Sequence, residues 1–240
     1  MDTSSQAVNN RAEQVKKWLK NPYHLGLLLI MALAFAVRLY YFFVMQGHPL
    51  WWDEAEYMAT AKRWALGIPF DVGPFRPPLF MFLTMFAFLA GFGENFVQFW
   101  LVLLPSVALV GAVYYLGKEM FNEKTAIVGA FFTAVSWTLL FWTSRIQPDF
   151  FSMLFQVLGL IFMWKHWKAP SAKFVVLAGV FSALGFHFKV SGLLVPLILG
   201  IFSFIKDRFA IFKDKHYYYF IIAFVLTLVE SSLGEIHSVA

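Results

Sequence analysis

The chain has 240 residues, 60% of them hydrophobic and 20% aromatic but only 14% charged, with a mean hydropathy of +0.67. Those values lie far from an average soluble domain and describe an all-α polytopic membrane protein, whose 30 Phe and 9 Trp suit lipid contact and interfacial belts. The lack of cysteine excludes a disulfide framework, a thiolate metal site and a thiol nucleophile; the formal charge of +5 lies in short clusters between apolar runs, which marks topology and not a nucleic-acid surface.

Residues 1–21 form a polar tail in which Arg11, Lys16, Lys17 and Lys20 precede Asn21-Pro22. The apolar run that follows is too long for a signal-peptide core and has no clear cleavage site, so the tail is expected in the cytoplasm and 22–240 as one transmembrane module. Its first helix is predicted over Tyr23–Met45, enough for a hydrocarbon core that needs roughly 20 apolar residues. Next comes the longest stretch too polar to cross a bilayer, Trp51–Pro78, with Asp53, Glu54, Glu56, Lys62, Arg63, Asp71 and Arg76. Further apolar segments are Leu79–Phe92, Phe96–Leu116, Thr125–Thr143, Phe150–Trp164, Phe174–Phe188, Ser191–Ile205 and Tyr217–Leu233.

The most basic internal linkers, Lys165–Lys173 and Lys206–Lys215, are expected inside with the N-terminus. With both inside, the Arg145–Asp149 turn and Gly91–Gln98 fall outside, and Gly117–Lys124 inside. The count closes at seven spans if Leu79–Phe92, about 14 residues between prolines and glycines, is interfacial or re-entrant. The alternative is a short crossing helix there, with Gly117–Lys124 outside. In the first threading the outer face collects the loop 46–78, the Ser144–Asp149 turn and the Lys189 junction, so two acidic sites and three basic side chains meet at one membrane surface.

Asp53 followed by Glu56 fits an N-capping pattern. It predicts an amphipathic interfacial helix with Ala55, Met58, Ala59, Ala65 and Leu66 on one face and Glu56, Thr60 and Arg63 opposite. Asp53 and Glu54 then sit at a positive dipole end, where a carboxylate is a usable general base; equally, Asp53 is a cap and Glu54 a solvated charge. Arg76 is held extended among Pro74, Pro77 and Pro78, and its rigid fork either takes a phosphate or snorkels to headgroups. Arg145 and Lys189 carry the same two readings. Asp149, after Pro148, either caps the next helix or faces the loop to orient an acceptor, bind a metal or hold the loop. Arg38, deep in the first helix, either snorkels or lines a polar cavity. His187 reads as a hydrogen-bonded structural residue. The six His show no metal-ligand spacing, and HExxH, GxSxG and Walker motifs are all missing from the sequence.

The run Trp52-Asp53-Glu54-Ala55-Glu56-Tyr57, then Gly67 and Phe75-Arg76-Pro77-Pro78-Leu79-Phe80, resembles the first outer loop of membrane glycosyltransferases of fold type C. Within them it is similar to the dolichyl-phosphate-mannose protein mannosyltransferase and lipid A aminoarabinose transferase group. Leu116–Phe121, Ser144–Asp149 and Phe188-Lys189-Val190-Ser191-Gly192 resemble later motifs of that group, in the same order. The likeness extends over about residues 23–205, and the seven-span reading with interfacial helices in the first outer loop is similar to that family's N-terminal module.

The resemblance implies transfer of a sugar, mannose-like or another hexose or pentose, from a polyprenyl-phosphate donor lipid to an acceptor hydroxyl on protein, lipid or glycan at the outer face of the cell membrane. It implies Asp53 as general base, Glu54 in support, and Asp149 completing the acidic site. Arg76, Arg145 and Lys189 would neutralise the leaving phosphate, while Trp52 and Tyr57 belong to the substrate loop. The resemblance implies no definite cofactor and does not settle metal dependence; two carboxylates could hold a divalent metal ion. Members of the family usually continue with more spans, so the chain is expected to lack the usual C-terminal part. The other function class is a non-catalytic membrane subunit or truncated relative that binds polyprenyl phosphate. A transporter fits poorly, because intramembrane polar residues are sparse, mainly Arg38, Gln156 and His187.

Overall fold

The protein is seen here as a computed structural model that describes residues 13, 18–69, 76–208 and 213–238, with the side chains of 207 and 230–238 left out of account. Most of the polar N-terminal tail, Asp71, the Pro74-Phe75 half of the proline motif and Ala240 lie outside the described residues. Every regular element among the described residues is helical.

Helix α1 (Pro22–Val44) starts where Asn21 accepts the Tyr23 N–H through its side chain and Pro22 takes the first turn, whose N–H would lack a partner anyway. After α2 (Trp52–Ala65) and α3 (Leu79–Leu89), helix α4 runs over Glu94–Met120. A π-turn at Phe99–Leu103 interrupts it just ahead of Pro105, which cannot donate to the ladder. Asn122 caps α5 (Glu123–Val135) by accepting the Thr125 N–H. The chain continues as α6 (Trp137–Thr143), α7 (Asp149–Lys168), α8 (Ala172–Phe188), a 3-10 turn at Val190–Leu193, α9 (Leu194–Asp207) and α10 (Lys215–Ser238).

Helices α1 and α4 are each long and apolar enough to cross a membrane, and α5 with α6 passes the same test as a bent pair, the form of a broken span or a re-entrant loop. The remaining apolar helices, including α3, α8 and the segment Val190–Lys206, are shorter. The single helix expected over Thr125–Thr143 is therefore two, bent by 50° at Ser136. The cause lies in α1. Arg38 is fully buried and donates to the Ala134 carbonyl at 2.8 Å, the Thr133 carbonyl at 3.2 Å, the Ala34 carbonyl at 3.2 Å and Ser106 Oγ at 3.0 Å. A break leaves the last carbonyls of α5 without helical partners at the negative end of its dipole, and the guanidinium supplies both donors and charge there. Arg38 thus neither snorkels nor lines a cavity; it joins α1, α4 and α5.

Two groupings mark the ends of the bundle. At one end Asn21 and Lys118 both reach Glu123, and Lys168 donates to the Glu119 carbonyl at 2.6 Å and its carboxylate at 3.1 Å. At the other, Met58 of α2, Phe80 of α3, Val97 of α4, Ile146 and Phe188 form one buried cluster. Both ends of α3 belong there: Phe80 meets Tyr57 edge-on, and beyond the helix Glu94 pairs with Lys62 at 2.7 Å. Small residues bring α7, α8 and α10 close. A Cβ at Gly179 would lie 2.6 Å from the Phe220 carbonyl oxygen, and one at Gly192 would collide with the Gly185 backbone, so the chain folds tightly back after α8.

Replacing Arg38 by Met strips the broken helix of its donors at a cost of about 3 kcal/mol or more. The heat-denaturation midpoint in detergent should fall by roughly 6–12 °C. A midpoint unchanged to within about 1 °C would show that the break needs no arginine.

Candidate active site

Helix α2 begins two residues earlier than the capping pattern predicts. Its N-cap is Trp51, and the reaching-back carboxylate is Glu54, which accepts the Trp51 N–H at 2.6 Å. The other oxygen of Glu54 accepts the Ile146 N–H at 2.8 Å, across to the turn before α7. Glu54 is only 2% exposed, and Arg145 lies 3.6 Å from the same carboxylate. It is therefore no solvated charge: it pins α2 to the Ser144–Pro148 turn. The buried stripe of α2 is Glu54, Met58, Thr60 and Ala61, not the predicted apolar face. Of that predicted face only Met58 is buried; Ala55, Ala59 and Leu66 are exposed. A polar residue leads the stripe because both of its oxygens find donors, one at the start of its own helix and one in the turn it docks on.

Arg145 spreads its guanidinium over the Trp51 ring, 3.7 Å from the centroid, with Phe141 farther out. Gln98 of α4 donates to the Ser144 carbonyl at 3.2 Å and holds the turn from below. A cavity of about 360 Å³ opens beside this contact, lined by the Met45–Leu50 segment, Glu54, Glu94, Gln98 and Arg145. None of Asp53, Arg76, Asp149 or Lys189 lines it.

Because Glu54 turns inward, its neighbour Asp53 turns out, with its side chain 51% exposed. Arg76 reaches both Asp53, at 3.0 Å, and Glu56, at 2.9 Å, and stands over the Tyr57 ring. Asp149 occupies the first turn of α7, where Pro148 and not Asp149 holds the N-cap position, and Lys189 donates to it at 2.6 Å. Ser152, one turn on, donates to the Gly185 carbonyl at 2.7 Å and so fixes the α7–α8 register that presents Lys189 to Asp149. Tyr57 joins the two pairs electrostatically. Burial pushes its hydroxyl up to about 12; Arg76 opposes that rise, while Asp53, Asp149 and Glu56 add to it. Among the described residues Asp149 Oδ2 and Arg76 Nη1 are buried without a hydrogen-bond partner, so each pair keeps one unused polar atom.

The sequence-predicted residues are thus divided into two neighbouring groups. Asp53, Arg76, Asp149, Lys189 and Tyr57 lie around one charged centre; Glu54 and Arg145 form the dock beside it. Trp52 is 86% exposed. Sequence reasoning missed Trp51, which carries Arg145, and Gln98, which steadies the turn; a Trp next to an acidic run signals only an interface residue, and nothing local points Gln98 at a turn 46 residues on. His187 donates through Nε2 to the Thr227 carbonyl of α10 at 3.1 Å and stays a structural residue.

A family model described as dolichyl-phosphate-mannose-protein mannosyltransferase matches residues 75–233. The chain belongs to that family. No curated protein and no solved structure matches it. Membership makes the chain a membrane glycosyltransferase in general terms, with a lipid-linked sugar donor and an acceptor as the family's substrates. In this mannosyltransferase-family chain the matched region contains Arg76, Arg145, Asp149 and Lys189, whereas Trp52, Asp53, Glu54 and Tyr57 precede it.

The environment of Tyr57 has a measurable signature. An ordinary tyrosine is half-ionised near about pH 10. The phenolate absorbance lost in Tyr57→Phe should instead rise with a midpoint near 12. As the pKa is raised by folding, the phenol's stabilising effect is present below about pH 10 and fades as pH climbs towards that midpoint. A midpoint near 10 would mean that Tyr57 is solvated and the two charged pairs stand apart.

Proposed function

We propose that the chain is a glycosyltransferase that moves a sugar from a polyprenyl-phosphate carrier to an acceptor hydroxyl at the outer face of the cell membrane. The observation that carries the reading is the convergence of Asp53–Arg76 and Asp149–Lys189 around the half-buried Tyr57, at one end of an apolar helical bundle that belongs to this family. Residues 22–240 act as one module, with loop 46–78 as the catalytic loop and the N-terminus cytoplasmic. Seven crossings are formed by α1, α4, α5 with α6, α7, α8, the helix from 190 to 206, and α10. Helix α3 does not cross: it is 11 residues long and returns to the end from which it starts.

Asp53 accepts the proton of the acceptor hydroxyl as its oxygen bonds to the anomeric carbon, while the bond from that carbon to the phosphate oxygen breaks and the polyprenyl phosphate leaves. Arg76, whose Nη1 has no hydrogen-bond partner among the described residues, and Lys189 meet the charge that develops on the departing phosphate. Arg76 is shared between Asp53 and Glu56 before donor binds, which masks the base; a phosphate that draws the guanidinium away frees Asp53 for the acceptor. Proton removal then follows donor binding. Glu54 supports the base by holding α2 in place, Arg145 serves the dock, and Trp52 with Tyr57 contacts substrate. Side chains supply the cations in this scheme, and no step runs through a metal ion.

Membranes containing the chain, given a radiolabelled polyprenyl-phosphate sugar, should transfer label to acceptor. Asp53→Asn should lower transfer by more than about a hundredfold while the protein stays folded and still binds the donor lipid. Transfer undiminished in Asp53→Asn would remove Asp53 as the base. Donor binding without transfer by either form would make the chain a lipid-binding subunit.

A further inference from the structure

At the end of the bundle opposite Asp53, three side chains converge that lie far apart in sequence. His166 stands buried in the last turn of α7, while Asp214 and His216 flank Lys215 where α10 begins. One ligating atom from each residue lies within 4.8 Å of those of the other two. The linkers that carry them are the two basic ones, and their lysines would repel a cation held by charge alone; an ion resident there needs directional bonds to nitrogen.

The local bonding presents these groups as ligands. His166 Nδ1 faces the Ser171 backbone, 3.3 Å from the carbonyl oxygen and 3.1 Å from the N–H. In the tautomer whose Nδ1–H goes to that carbonyl, Nε2 keeps the lone pair, and metal binding selects this tautomer over the one in which Nδ1 accepts the Ser171 N–H. Asp214 caps α10 with a single oxygen: Oδ1 accepts the His216 backbone N–H at 2.9 Å and meets His216 Nδ1 at 2.8 Å. That leaves Oδ2 of Asp214 and Nε2 of His216. The two imidazole rings are 5.0 Å apart and tilted at 51°, so they do not stack on each other.

We propose that His166, Asp214 and His216 form a binding site for a divalent transition-metal ion of the zinc class, with its remaining position open to water. Two imidazoles and one carboxylate select zinc, cobalt or nickel over magnesium and calcium, which favour all-oxygen sets. Ligand atoms around tetrahedral zinc stand about 3.3 Å apart, against separations of up to 4.8 Å here, so a bound ion draws the three side chains together. The bound ion clamps the end of α7 to the start of α10. Helix α8 packs against both and is thereby held between them. This is a structural site, separate from the transfer chemistry and independent of the reading given to Asp53.

The test uses the tag-free full chain in detergent, stripped with a chelator, loaded with Zn²⁺ and desalted. Elemental analysis should find about one zinc per chain held by these residues. His216→Ala, the safer variant because His166 is the more buried, should bind it more than about tenfold more weakly, as should His166→Ala. Asp149→Asn should retain it. Zinc should raise the melting temperature of the wild type and leave that of His216→Ala unmoved, with the two metal-free proteins melting together. Failure of the wild type to hold zinc, or zinc retained equally by both His variants, would overturn the site.

Discussion

Glu54 accepts one backbone N–H from the start of its own helix, at 2.6 Å, and one from the turn before α7, at 2.8 Å, from an almost wholly buried position. The arrangement of charged residues at that end depends on this double acceptance. A carboxylate in such a place is tolerated only because each oxygen has a donor and a guanidinium stands nearby. The consequence is geometric. With Glu54 inward, Asp53 is turned to the exposed side of α2 beside Arg76, and the 144–148 turn delivers Asp149 at the head of α7 within reach of Lys189. Trp51 adds a second clasp by carrying the Arg145 guanidinium on its ring.

A chain this apolar has few polar groups to spare, and those inside the bundle are placed where helices are interrupted. Arg38 supplies donors to the carbonyls left open at Ser136; Ser106, one of its partners, in turn donates to the Leu103 carbonyl at the π-turn. Ser152 ties to Gly185 where the chain is about to turn back over Gly192. In each case a side chain completes backbone hydrogen bonding that lipid could not supply. Breaks near the charged end let short helices such as α3 and α6 shape a site without exposing unsatisfied backbone.

The helical class and the positions of the segments were legible because apolar runs of the right length admit few other structures. The clustering of Asp53, Arg76, Asp149 and Lys189 was legible from charge placed between those runs, together with the motif order. What could not be read locally rests on distant partners. The bend at Ser136 has neither proline nor glycine to announce it, and its cause is Arg38, which reaches the Ala134 carbonyl from 96 residues upstream of that residue. Glu54 reads as a solvated charge until Ile146, 92 residues on, supplies its second donor. The cap itself was predicted two residues late because Trp51 has no capping side chain; only its backbone N–H takes part. His166, Asp214 and His216 have no ligand spacing at all, and only the packing of α7 and α10 around α8 assembles them.

Hydrogen exchange at the Ile146 amide tests the central claim most directly, because that N–H has Glu54 as its acceptor. In the wild type in detergent the amide should exchange slowly, and in Glu54→Ala it should exchange faster by more than about tenfold, with amides in the middle of α4 unaffected. Rapid exchange in the wild type, or protection that survives Glu54→Ala, would mean that the loop is not docked through Glu54 and that the charged centre is assembled in some other way.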